Sequence, residues 1–381
     1  DRTPTAHAES GMATRSFGVA RPVRYLSWLV SRLDAVGETT AVSSAGTRSS
    51  PTDEPGVRIG VSTSPRLTNE GRSLLGRTKS ILEYYGSLVG DFPYPTLACA
   101  LVEGRLPGGH SPAYLAVISQ PIAGSRLHLR EDPGAYPGFQ DFFLAHELAH
   151  QWWGQAVGWR SYRDQWLSEG FAQYFATLYA EHAAGEETSA RIRRYFQRWA
   201  LQRSDRGPIQ LGYRVGHLND DQQSFRAVVY DKSAAVLHML RRLIGDDAFF
   251  RAVRRFYADY RFHTAGTEDL RAAFEAESGA SLGRFFERWI YGSTLPRVAF
   301  SWRGGGAGAA GGAGSEVVLR FEQSGDVFDM PVTATLVYAD GRRSDVLVPI
   351  RERVTEFRTP LVGRLARVEV NRDGLAVGEF R

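Results

Sequence analysis

Phe142-Phe143-Leu144-Ala145-His146-Glu147-Leu148-Ala149-His150-Gln151-Trp152 is the stretch on which the reading of this chain turns. Its apolar residues have the spacing of a helix, which puts His146 and His150, four positions apart, on one face where both imidazoles can reach a single ion. Neutral imidazole suits zinc, and a catalytic zinc site takes three protein ligands and leaves a fourth position to water. The third ligand has to come from elsewhere. Glu169 is the candidate, in Trp166-Leu167-Ser168-Glu169-Gly170-Phe171-Ala172 at the start of the next helix. Glu147 directly follows a ligand, so it projects beside the ion and can take a proton from water that zinc acidifies toward a pKa of about 7. The bare motif is also open to a plainer reading, a chance match or two core histidines on an apolar helix. The placement of Glu169 counts against it. The expectation is one zinc ion on His146, His150 and Glu169, with Glu147 as catalytic base.

Eighteen residues, Gln151 to Ser168, separate the histidine motif from Glu169. In this the chain resembles the gluzincin metallopeptidases of the M1 type, the family of aminopeptidase N and leukotriene A4 hydrolase, whose pattern is HExxH, an eighteen-residue spacer and Glu. The family's sequence around its third ligand resembles WLNEGFA, and Trp166 to Ala172 reads WLSEGFA. Tyr230-Asp231-Lys232-Ser233-Ala234-Ala235-Val236-Leu237-His238-Met239-Leu240 is similar to the family's Y-x-K-G-x-x-V-L-x-M-L segment. Leu270–Phe274 and Phe285–Trp289 look like its closing helices. The likeness runs from about Tyr25 to Pro296 and, more weakly, through the tail.

The resemblance implies an α+β fold. A thermolysin-like catalytic domain, with a small mixed sheet lobe followed by a mostly helical lobe, would precede a C-terminal β-sandwich-like domain. It implies a zinc peptidase acting on a peptide or protein substrate. It also gives Tyr230 a catalytic role, a phenol donor aimed at the oxyanion of the tetrahedral intermediate. On its own chemistry Tyr230 reads as a buried aromatic, and only the family register reverses that. His217, His238 and His263 have no ligand spacing to the cluster and read as packing or surface residues.

One departure bears on specificity. The family's aminopeptidases carry a GxMEN segment whose Glu binds the substrate's free α-amine, and the matching stretch here is Gly108-Gly109-His110-Ser111-Pro112-Ala113. Gly108, Gly109, His110 and Ser111 are the candidate substrate-binding residues, and Ser111 stands where that Glu belongs. A neutral hydroxyl does not supply the counter-charge, so recognition of the N-terminus is expected to be atypical, and Glu103 is a conceivable substitute. Ser168, where the family has Asn, is a milder change that permits a local hydrogen bond or a helix cap. Two other readings stay open: an idle M1-like domain used for protein binding, and a zinc hydrolase of a non-peptide substrate.

The bulk properties fit this picture. A chain of 381 residues exceeds the ~250–300 at which one core stops growing, so two or three units are expected. Hydrophobic residues at 43% and charged residues at 23% are those of a globular protein. The net charge of +4 is spread without any dense basic run, which argues against nucleic acid. No apolar run approaches the ~18 residues of a membrane span, so a soluble domain is expected. Lys79 and Lys232 are the only lysines. With abundant Ala and Gly, this arginine bias suits a GC-rich, bacterial genome. Cys99, the single cysteine, lies in an apolar strand-like run and reads as core. Asp1 is neither Met nor the start of a signal peptide, so the chain is expected to be part of a larger polypeptide, and its compartment stays open.

Along the chain, residues 1–24 are polar and patternless and are expected to close a preceding domain. Residues 25–296 are expected to form the peptidase domain and 297–381 the β-sandwich-like domain. Strands are expected at Tyr25–Val36, Val57–Ser64, Thr96–Glu103 and Tyr114–Ser119, and a helix over Asn69–Leu88. From Gly138 to about Tyr291 the pattern is nearly all helical, with stops at Gly185, Gly245 and Gly279. Gly304–Gly314 reads as a flexible loop. Alternating strands follow at Val317–Phe321, Val332–Tyr338, Asp345–Ile350 and Arg367–Val370, with a hairpin turn at Asp340-Gly341.

Overall fold

Alternate residues of Gly56–Thr63 (β4) are apolar, and Val57, Ile59 and Val61 are buried on one face of a five-stranded sheet. The computed structural model describes residues 5–7, 12–14, 18–19, 21–43, 56–103, 108–120, 134–304 and 316–381. Beside β4 lie Asp34–Val42 (β3), Thr96–Glu103 (β5), Gly109–His110 (β6) and Leu115–Gln120 (β7), in the order β3-β4-β5-β7-β6. β4, β5 and β7 are mutually parallel, while β3 and β6 run antiparallel at the two edges. Thr68–Val89 (α1) provides the crossover from β4 to β5. It buries Leu74, Ile81, Leu82 and Tyr85 and ends at Gly90, whose φ of 95° only glycine adopts easily. Cys99 is core, as expected, and burial pushes its thiol pKa up to about 12.

The first strand differs from the sequence expectation. Residues 21–33 have no regular structure, and β3 runs on through Gly37, Thr39 and Thr40, past the expected end at Val36. Its pairing starts at Asp34 because that residue faces Thr63, the last residue of β4; anything earlier lacks a partner strand. Leu26, Trp28 and Val30 are consequently exposed. Two three-residue strands, Thr5–His7 (β1) and Met12–Thr14 (β2), pair in a stretch whose composition shows no pattern.

The helical region is Phe142–Ala149 (α2), Trp166–Ala184 (α3), Glu186–Arg203 (α4), Gln222–Phe225 (α5), Ser233–Ile244 (α6), Asp246–Tyr260 (α7), Thr267–Ser278 (α8) and Gly283–Trp289 (α9). Two short parallel strands, Val157–Trp159 (β8) and His263–Ala265 (β9), interrupt it. Gly185, Gly245 and Gly279 follow α3, α6 and α8 with positive φ, as the stop signals indicate. Arg226–Lys232 between α5 and α6 is a π-helix, which the spacing of apolar residues does not announce. Among the described residues no helix is long and apolar enough to cross a membrane.

The C-terminal strands are Arg297–Gly304 (β10), Glu316–Ser324 (β11), Met330–Tyr338 (β12), Arg343–Ile350 (β13), Val354–Pro360 (β14), Leu365–Val370 (β15) and Glu379–Phe380 (β16). They form two sheets, β14-β11-β10-β16 and β13-β12-β15. The Gly/Ala tract beyond Gly304 lies outside the described residues. β12 was expected to alternate but is buried along its whole length. Its polar face is covered because Thr333 and Thr335 donate to Asp373 and Asp345 at 2.7 and 2.6 Å. These strands dock on the helices through Trp289, whose indole donates to the Asp329 carbonyl, and through Gln197, which donates to Ala376.

Candidate metal centre

Every residue of α2 is buried, and the Tyr85 hydroxyl holds the helix in place by donating to the Ala145 carbonyl at 3.0 Å. His150 lies one residue past α2 but keeps helical dihedrals, so it projects on the same face as His146. The two Nε2 atoms are 3.2 Å apart, and Oε2 of Glu169 lies 3.5 Å from that of His146 and 3.4 Å from that of His150. Ligands bonded tetrahedrally to zinc at about 2.0–2.1 Å are about 3.3–3.4 Å from one another, so the three atoms already have the spacing of a zinc ligand triangle. Within the described residues this is the His/Cys/Asp/Glu group able to hold a metal ion.

The electrostatics agree. Burial alone would lower the His150 pKa, but the charge and hydrogen bond of Glu169, with the charge of Glu147 and the Trp153 carbonyl, together outweigh it and the net result is a rise to about 9. Burial would raise Glu169, yet His150 and His146 hold its carboxyl well below the usual range. The carboxylate that stays ionised here supplies negative charge beside two imidazole nitrogens, which makes a place for a cation. Nδ1 of His150 donates to the Trp153 carbonyl at 3.0 Å, which leaves Nε2 free to ligate. Ser168 donates to that same carbonyl at 3.1 Å. It therefore makes the local hydrogen bond, not the helix cap, since Gln165 occupies the N-cap of α3. His146 Nδ1 is buried with no hydrogen-bond partner among the described residues.

Glu147 is buried beside this triangle and accepts a 2.7 Å hydrogen bond from Ser111 Oγ. The backbone of β6 passes so close that a Cβ on Gly109 would lie 2.7 Å from the Glu147 carboxyl carbon. Gly170, next to the third ligand, has a comparable role: a Cβ there would come within 2.6 Å of the Ser233 Cβ, so glycine lets α3 close on the start of α6. Just before that point the π-helix carries Tyr230, whose ring stacks on His146 with centroids 5.8 Å apart.

His146, Glu147, His150, Glu169, Tyr230, Gly109, His110 and Ser111 all line one cavity of about 470 Å³. Gly108 is not among its lining residues; it makes the turn before β6 with φ of 118°, its carbonyl accepting from Ser119. Glu103 sits at the exposed end of β5 and does not line the cavity. Of the other histidines, His238 is buried against the Tyr174 hydroxyl, His217 packs on Phe225, and His263 belongs to β9. Sequence reasoning missed Arg24, Tyr25, Gly154, Gln155, Trp159 and Gln165, which also line the wall. No local pattern marks them, because they converge only in the tertiary structure.

A family model described as "Peptidase family M1 domain" matches residues 141–289. Aminopeptidase M1-B of Oryza sativa subsp. japonica is 33% identical over 164 residues, covering 41% of this chain and 18% of that relative. Aminopeptidase N of Lactococcus lactis subsp. lactis is 31% identical over 163 residues, 41% of this chain and 19% of its own, and aminopeptidase N of Streptomyces lividans is 30% identical over 152 residues, 39% and 18%. The chain thus spans less than a fifth of the length of these curated relatives. The crystal structure of Legionella pneumophila aminopeptidase A in complex with aspartic acid shares the fold at a TM-score of 0.65 and 17% identity, over 92% of this chain and 38% of that one. The motifs are thus gathered around one cavity, and the stretch from α2 to α9 is similar to the peptidase family M1 domain.

Proposed function

We propose that this protein is a zinc-dependent metallopeptidase that hydrolyses peptide bonds, with His146, His150 and Glu169 as ligands of one zinc ion. The 3.2–3.5 Å triangle of their ligand atoms, in one cavity with Glu147 and Tyr230, is the observation that carries the reading. When bound, zinc supplies an acidified water and a Lewis acid for the scissile carbonyl. Glu147 takes the proton of the attacking water and returns it to the leaving amine. Ser111 orients that carboxylate, and Tyr230 donates to the oxyanion. In domain terms the proposal is a thermolysin-like unit over residues 25–296 and a β-sandwich-like unit over 297–381. The reading is tested by assaying purified, zinc-loaded protein on a peptide panel, with Tyr230→Phe as the mechanistic variant. Deleting that hydroxyl is expected to lower kcat by ~10²–10³ while KM changes far less, because the bond forms mainly in the transition state. An unaltered kcat returns Tyr230 to the role of a buried aromatic.

Recognition of the substrate's N-terminus is proposed to be atypical. The described carboxylates that line the cavity are Glu147 and Glu169, one bonded to Ser111 and the other to the histidines, and the cavity also contains the cationic Arg24. A free ammonium in a water-poor pocket needs a paired carboxylate. One peptide with and without N-acetylation is therefore expected to be cleaved with comparable kcat/KM. A strong preference for the free amine would show that another acid serves the purpose.

A further inference from the structure

Arg24 lies in the irregular segment before β3, yet its side chain is firmly placed. Its Nη1 donates to the Gly154 carbonyl at 2.9 Å, and the guanidinium lies over the Trp159 ring at 4.4 Å from the centroid. A Cβ on Gly158 would come within 3.1 Å of its Nε and 3.2 Å of its Cδ, so the stem rests on bare backbone. The neighbouring Tyr25 stacks on His110 of β6 and accepts a hydrogen bond from Gln155 at 3.2 Å. Arg24-Tyr25 therefore ties the sheet edge to the loop that supports His150.

Arg24 is the sole lysine or arginine among the described residues lining the cavity, and it forms no salt bridge with any of them. A guanidinium has five N–H donors in a planar fork that matches a carboxylate, and here one of them is used. The two acids of the cavity are committed, Glu169 to the histidines and Glu147 to Ser111. A pinned cation with no counter-ion among the described residues, facing a substrate cavity, is a site for an anion supplied by the substrate.

We infer that Arg24 is a specificity-determining residue that pairs with a carboxylate of the peptide, either an acidic side chain near the scissile bond or the C-terminal carboxylate. This rests on the peptidase reading above. Two matched substrate pairs distinguish the sources: Glu against Gln beside the scissile bond in peptides with amidated C-termini, and a free C-terminal acid against its amide in peptides without acidic residues. A charged hydrogen-bonded pair favours the carboxylate member of one set by about tenfold or more in kcat/KM. Arg24→Gln is expected to bring that ratio close to one, and Arg24→Lys to retain part of it. Binding of the same four peptides to zinc-loaded Glu147→Gln protein, with and without Arg24→Gln, gives a readout independent of turnover. Binding that discriminates through Arg24 without hydrolysis by the wild type upholds this inference and removes the peptidase reading. No preference in either pair, or a preference that survives Arg24→Gln, overturns it.

Discussion

Glu147→Gln is expected to retain the fold and the metal while losing hydrolysis by ~10²–10⁴, the range associated with a positioned general base. The amide keeps the shape of the carboxylate but cannot accept a proton. Its surroundings make the substitution a clean one. Ser111 donates to the carboxylate at 2.7 Å and can donate equally to the amide oxygen, and the bare backbone at Gly109 leaves room for either group. Since Glu147 is not one of the three converging ligand atoms, zinc content should stay at the wild-type level. Steady-state kinetics on one peptide, paired with metal analysis of the same preparation, checks both halves. Wild-type turnover in Glu147→Gln would remove Glu147 from the chemistry.

Glu169→Ala acts one step earlier, because it removes a corner of the ligand triangle. Wild-type protein that has never met a chelator is expected to contain about one zinc per chain, as suits two imidazoles and a carboxylate with an open fourth position. The variant is expected to lose the ion on dialysis and, with it, all hydrolysis. It also leaves His146 and His150 facing each other at 3.2 Å without the charge that holds the His150 pKa up at about 9. Metal that binds only the folded protein stabilises it, so a chelator should lower the melting temperature of the wild type and leave that of Glu169→Ala unmoved. Wild-type zinc content in dialysed Glu169→Ala would show that the third ligand lies elsewhere.

The parts of this architecture that were legible in the sequence are those governed by local period or by spacing along one helix. The i, i+4 separation of His146 and His150 needs only that α2 be helical, and the stops at Gly185, Gly245 and Gly279 follow from the preference of positive φ for glycine. What was illegible depends on partners far along the chain. Nothing near Asp34 says that β4 ends opposite it, and nothing in Met330–Tyr338 says that Asp345 and Asp373 cover its threonines. Ser111 could be read as standing where an acid belongs, but not as the hydrogen-bond partner of Glu147. Arg24 was invisible for the same reason: its meaning resides in Gly154, Gly158 and Trp159, more than a hundred residues away.

The π-helix at Arg226–Lys232 governs how this region tolerates changes of length. A π turn differs from an α turn by about one extra residue, and one residue on a helix corresponds to about 100° of rotation. Removing one residue between Phe225 and Tyr230 is expected to let the segment relax into an uninterrupted helix, at little cost to its backbone hydrogen bonds. The same relaxation swings Tyr230 away from His146 and turns Ser233 off the bare face of Gly170. The number of residues here therefore sets the direction of the tyrosine, and a chain with one residue fewer is expected to fold while aiming it elsewhere.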